Sequence, residues 1–146
     1  MVLVAFMRHG EAEQGGPDSE RRLTVEGRRQ VEAAASAFPF KPRIIYSSPL
    51  ARAVETAEIL ARLYNVEVKV VEDLSPGAFS TSVALKLARE RAVLVGHNPS
   101  MSRVVSALTG CPVSLGTAWV AVVDVYGERG SLMALVPPPG SLDSWR

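Results

Sequence analysis

Short apolar runs alternate along this chain with stretches whose apolar residues recur every three or four positions. Val2 to Met7 is an apolar run that predicts a buried strand. It stops abruptly at Arg8-His9-Gly10, where a cation and an imidazole meet a glycine expected to free the backbone for a turn. A polar loop, Glu11 to Arg22, holds Gly15, Gly16 and Pro17, which break regular structure. The helix that follows starts near Thr24, a capping residue, with Glu26 at the positive end of its dipole. Val31, Ala34, Ala35 and Phe38 mark its buried side, and Pro39 ends it.

The same alternation continues to the end of the sequence. Arg43 to Ser47 predicts a second strand, running into Ser48-Pro49, read as the cap and first position of a helix. Leu50, Ala53, Val54, Ala57, Leu60, Ala61 and Tyr64 make one apolar stripe along that helix. Glu67 to Val71 predicts a third strand, Ser82 to Arg89 a modest helix, and Ala92 to Val95 a fourth strand. The turn Gly96-His97-Asn98-Pro99 leads into a helix with Met101, Val104, Val105 and Leu108 inside, stopped by Gly110 and Pro112. Ala118 to Tyr126 and Ser131 to Val136 read as a hairpin joined through Gly127 to Gly130. Alternating strands and helices imply an α/β fold: a three-layer α/β/α sandwich on a mixed, mainly parallel sheet. Residues 1–146 are expected to form a single domain, with a Pro-rich tail at 137–146 that is partly mobile.

Composition narrows the class. A chain of 146 residues with 47% hydrophobic and 21% charged residues is long enough to bury a substantial core. Its net charge of +1, with both signs interspersed, carries neither a nucleic-acid footprint nor a membrane-surface patch. No stretch approaches the roughly 18 apolar residues of a membrane helix. The opening run lacks the basic flank of a signal peptide, so a cytoplasmic location is expected. Cys111 is the only cysteine, which excludes an intrachain disulfide, and it is read as a small packing group. Trp119 and Trp145 are likewise read as packing groups rather than ligand platforms.

The chain holds two histidines, and each ends an apolar run. In a parallel sheet Arg8-His9-Gly10, Ser47 to Arg52 and Gly96-His97-Asn98 all lie at the carboxyl edge of strands, where open α/β sheets bind ligands. Two guanidinium groups, two imidazoles and helix N-termini at one edge make an anion site. No Gly-x-x-x-x-Gly-Lys loop marks a nucleotide-binding P-loop. No paired acidic residues with a nearby His suggest a two-metal phosphatase, and no metal or cofactor is expected.

Four ordered blocks then carry a resemblance: Arg8-His9-Gly10-Glu11; Leu23-Thr24-x-x-Gly27-Arg28-x-Gln30; Ser47-Ser48-Pro49-x-x-Arg52-Ala53-x-x-Thr56-Ala57; and Val95-Gly96-His97-Asn98. The chain resembles the histidine phosphatase superfamily, the phosphoglycerate mutase-like group, over Val2 to about Leu108. The resemblance implies a metal-independent phosphatase in which His9 attacks phosphorus and becomes a phosphohistidine that water hydrolyses. Arg8, Arg52 and His97 would be the other catalytic groups, binding the phosphoryl oxygens, with Arg21 as an outer phosphate contact. Larger, mutase-like members carry a proton-donating Glu in the loop after the third strand; here that stretch is Leu74-Ser75-Pro76-Gly77. A leaving alkoxide needs a proton, whereas a phosphohistidine has a labile P–N bond and an imidazole leaving group that can arrive already protonated. Small size and this Leu-x-Pro loop are similar to SixA-type phosphohistidine phosphatases, and imply a phosphohistidine-bearing protein as partner. Glu11, beside the nucleophile, is the preferred acid, with Glu72 and Asp73 as alternatives. Two other readings remain: a phosphatase for small phosphate esters of the α-ribazole phosphate or sugar phosphate type, and a non-catalytic phosphoprotein-binding module.

Overall fold

The computed structural model describes residues 1–140. Its elements run β1 (Val2–Arg8), α1 (Val25–Ser36), β2 (Ile44–Ser47), α2 (Ala51–Tyr64), β3 (Val68–Val70), α3 (Thr81–Leu87), β4 (Ala92–Gly96), α4 (Ser100–Thr109), β5 (Val120–Tyr126) and β6 (Arg129–Val136). The strands form one sheet in the order β3-β2-β4-β1-β5-β6. β1 to β4 run parallel, and β5 and β6 complete the sheet antiparallel. The fold is therefore the mixed, mainly parallel α/β sheet that the alternation implied.

Side chains alternate across the pleat, so each central strand feeds two cores. Val4 and Phe6 of β1 pack with Leu94 of β4 against Ala84 of α3 and Met101, Val104, Val105 and Leu108 of α4. Ala5 and Met7 pack with Val93 and Val95 against Val31, Ala34 and Ala35 of α1 and Ala53, Ala57 and Leu60 of α2. Burying each large side chain of this kind contributes roughly 1.5–3 kcal/mol. Most of the residues in the stripes read from the sequence lie on the faces that cover the sheet; Val54 is half-buried and packs in neither core, and Phe38 lies beyond the end of α1. Among the described residues no helix is long and apolar enough to cross a membrane.

Register fixes the site. Arg8 pairs with Gly96 across β1 and β4, and Ser47 pairs with Val95 across β2 and β4. The His9 N–H donates to the Gly96 carbonyl (3.1 Å) and the Ser48 N–H to the Val95 carbonyl (3.1 Å). Three neighbouring strands thus deliver their polar ends to one edge. β1 lies where the order reverses, with β4 on one side and β5 on the other.

Several local readings are corrected. Ser48-Pro49 does not start α2: the helix begins at Ala51, its cap residue Leu50 makes no side-chain cap bond, and Ser48 turns to His97 instead. Gly10 is not in a left-handed conformation. Its lack of a side chain serves close packing, since a Cβ there would sit 2.7 Å from Val31 Cγ2 and 2.8 Å from the Gly27 carbonyl. The helix α1 ends at Ser36, ahead of Pro39, because proline disfavours a helical residue before it. The hairpin turn is only Gly127-Glu128, with Gly127 at φ 59°, where glycine is favoured. Thr24 does cap α1, accepting from the Gly27 N–H at 2.9 Å. Cys111 and Trp119 are partly buried against the α3/α4 core. Pro138 is buried at the start of the tail, while residues 141–146, Trp145 included, lie outside the described residues.

Candidate active site

His9 follows β1 directly and is 9% exposed. Its Nδ1 lies 2.7 Å from the Gly10 carbonyl, an acceptor, so Nδ1 carries the proton and Nε2 keeps a free lone pair. The segment is held from several sides. The Gly10 N–H donates to Thr56 Oγ1 (3.2 Å), whose hydroxyl donates to the Arg52 carbonyl (2.8 Å). The Ala118 N–H donates to the carbonyls of Arg8 and His9. Gly27 lets α1 press on the chain just beyond, where a Cβ would lie 2.0 Å from the Glu11 carbonyl.

The His97 ring packs beside His9, with ring centroids 5.1 Å apart and the planes inclined at 56°. His97 is 4% exposed and its Nε2 lies 2.7 Å from Ser48 Oγ, while its Nδ1 is buried without a partner. Arg8 donates from Nη1 to the Leu115 carbonyl (3.1 Å), and its Nε is also buried without a partner. Asn98 binds the same carbonyl through Nδ2 (2.7 Å) and holds the start of α4 by accepting from the Ser102 N–H and hydroxyl. Two buried nitrogens, Arg8 Nε and His97 Nδ1, are left without partners beside the His9 imidazole, and unpaired buried polar groups are costly.

Arg52, buried on the first turn of α2, donates from Nη1 to the Asp18 carbonyl (2.7 Å) and approaches the Asp18 carboxylate through Nη2. Arg21 pairs with the same carboxylate. Asp18, in a short 3-10 turn over Asp18–Glu20, therefore gathers two cations at the mouth of the site. Arg8, His9, Arg21, Arg52, Pro76 and His97 line one cleft of about 290 Å³, with Glu11 and Gln14 beside them. Burial, and then the guanidinium groups of Arg52, Arg8 and Arg21, push His9 down to about 4, against the hydrogen bond to Gly10. Burial and then the neighbouring His9 and Arg52 push His97 down to about 3. Burial also lowers Arg8.

Every residue the motifs singled out for catalysis or phosphate contact, Arg8, His9, Arg21, Arg52 and His97, thus lies on this cleft, as does Glu11. Glu72 and Asp73 do not line it; they are exposed in a 3-10 turn after β3. Asp18 and Glu55 were not anticipated. Glu55 is buried on α2 and accepts from the Leu23 N–H (2.9 Å), Arg22 and Arg28, which pins the start of α1 to α2. Its only sequence signal is a charge on the inner side of an amphipathic helix. Among the described residues no group of three or more His, Cys, Asp or Glu side chains is placed to hold a metal ion.

A bare imidazole nitrogen among guanidinium groups, at the carboxyl edge of a parallel sheet, defines an anion-handling α/β protein. The chain belongs to the histidine phosphatase superfamily (branch 1), whose sequence profile matches residues 4–81. Membership gives the activity class, a phosphatase. Compared with curated protein sequences, the chain has no significant match. Among solved structures it is similar to the protein histidine phosphatase SixA complexed with tungstate, at 21% identity and TM-score 0.82, over 94% of this chain and 97% of that one. The SixA protein of Agrobacterium tumefaciens is similar at 26% identity and TM-score 0.78, over 94% and 98% of the two chains. A phosphoserine phosphatase of Entamoeba histolytica, in complex with 3-phosphoglyceric acid, shares the fold at 19% identity and TM-score 0.77, over 95% and 98%.

Proposed function

We propose that this phosphatase hydrolyses phosphohistidine displayed on another protein, through a phosphohistidine intermediate of its own. The observation that carries the reading is the His9 ring: Nδ1 is committed to the Gly10 carbonyl, and Nε2 is left free in a cleft of cations. In this reading Nε2 attacks phosphorus in line as the bond to the leaving group breaks. The open donors of Arg8 and His97, with the forks of Arg52 and Arg21, take the charge that spreads over the phosphoryl oxygens. The phosphoryl oxygens displace the Asp18 carboxylate from Arg52. Water then attacks the phosphorus on His9, releasing inorganic phosphate and restoring the free imidazole.

Substrate class follows from the leaving group. Pro76 lines the cleft where a proton donor stands in larger relatives, and it can donate nothing. A phosphoramidate suits that arrangement, because its imidazole leaves neutral after being protonated in advance. The similarity to SixA proteins supports the same choice. Glu11 lies on the cleft and is exposed, so it is the group left to protonate an alkoxide. That carboxylate, with the fold shared by a phosphoserine phosphatase, favours small phosphate esters as the second reading.

Phosphate release from a phosphohistidine peptide, compared with a panel of alkyl and sugar phosphates, separates the two. Faster turnover of the peptide is expected. Efficient ester turnover with an inert phosphoramidate would overturn the preference. Tight phosphopeptide binding without any turnover would instead mark a binding module.

A further inference from the structure

Ser48 does not cap α2, whose cap residue is Leu50, and turns its hydroxyl to His97 instead. It is fully buried, and its Oγ contacts two groups: the Leu50 N–H, which donates to it at 3.2 Å, and His97 Nε2 at 2.7 Å. The hydroxyl proton of a buried serine needs an acceptor. Leu50 N–H is a donor, so among the described residues the acceptor within hydrogen-bond distance is His97 Nε2. The ring must then carry its proton on Nδ1, which is the nitrogen buried without a partner in a residue that lines the cleft.

We propose that Ser48 is a positioning residue that fixes His97 as the Nδ1–H tautomer, so that a neutral imidazole donates to a phosphoryl oxygen. The proposal deepens the phosphatase reading and rests on it for the identity of the acceptor. Chemistry favours the arrangement. With the proton on Nε2, a lone pair on Nδ1 would face the oxygens of the substrate and repel them. Burial holds the ring neutral, so a second proton does not rescue a wrong tautomer. A neutral donor also leaves the cleft less positive than an imidazolium would, and the neighbouring His9 stays free to attack. The two histidines are thereby set by different partners to the same tautomer: Gly10 fixes His9 and Ser48 fixes His97.

Nitrogen-15 NMR of the imidazoles at neutral pH tests the assignment in the intact chain, with His9→Gln used to tell the two rings apart. Both rings of the unaltered protein are expected to show a protonated Nδ1 and a bare Nε2. In Ser48→Ala the His97 signals should move toward the Nε2–H form while those of His9 stay. Turnover should fall about ten-fold, mainly in kcat, as one transition-state donor is weakened. Ser48→Thr, which keeps the hydroxyl, should restore the tautomer and most of the rate. A protonated Nε2 on His97 in the unaltered protein would overturn the proposal, and so would unchanged tautomer and kcat in a folded Ser48→Ala. If Ser48→Ala fails to fold by circular dichroism, the spectrum of the unaltered protein decides alone. Absence of turnover on every phosphate tested would refute the phosphatase reading, while the tautomer spectrum would still decide the role of Ser48.

Discussion

Acidification separates the two imidazoles of this site from ordinary ones. An unperturbed histidine titrates near 6.5 and is about three-quarters protonated at pH 6. With His9 at about 4 and His97 at about 3, both stay almost entirely neutral there. Because burial is the first cause of both shifts, they should vanish on unfolding. The sign follows directly. Below pH 6.5 the unfolded chain takes up two protons that the folded chain refuses, so stability is fully present above that pH and is lost as pH falls. Each imidazole contributes a slope approaching about 1.4 kcal/mol per pH unit. Between pH 7.5 and 5 the loss is about 2 kcal/mol for each ring. The loss is a large part of a total that is commonly about 5–15 kcal/mol. Since the chain has only these two histidines, proton NMR of the ring carbons follows both without ambiguity. Urea denaturation at half-unit pH intervals measures the energy. If either ring titrates near 6.5 in the folded protein, or if stability is flat from pH 7.5 to 5, the burial argument is wrong.

Two substitutions probe the frame that holds His9. Gly27→Ala would stabilise an exposed helix by up to about 1 kcal/mol through propensity. Here its Cβ would meet the Glu11 carbonyl at 2.0 Å, so a loss of about 2 kcal/mol and reduced kcat are expected. A Gly27→Ala protein more stable than the parent would show that the contact relaxes freely. Glu55→Ala leaves the Leu23 N–H without its acceptor and releases Arg22 and Arg28. The cost is about 2 kcal/mol, or about 6 °C in melting temperature for a chain of this length, and calorimetry measures it.

The parts of the fold that depend on periodicity were legible in the sequence. The apolar runs became the strands, and Ala53, Ala57, Leu60, Ala61 and Tyr64 of the second stripe became the inner face of α2. The convergence of Arg8, His9, Arg52 and His97 followed from parallel strands ending together. What was hidden depends on contacts between distant residues. Ser48 carries a strong local capping signal, but its partner His97 lies 49 positions away and wins the hydroxyl. Gly10 looked like a turn residue because glycine is common in turns, yet it is small to make room for α1. Asp18 sits in a polar loop like any other until the fold brings Arg52 and Arg21 to it. Glu55 is a carboxylate whose burial can be read only once the start of α1 lies beside it. The hairpin turn was shorter than its four polar residues suggested, because Arg129 and Gly130 already pair with β5.

The central claim is that His9 Nε2 becomes phosphorylated during turnover. The direct measurement is rapid quenching at alkaline pH during hydrolysis of a phosphohistidine peptide, followed by peptide mass spectrometry. The account predicts a phosphoryl group on His9, absent from His9→Ala, in which turnover also disappears. Full turnover by His9→Ala, or phosphate found on another residue while His9 stays bare, would contradict it.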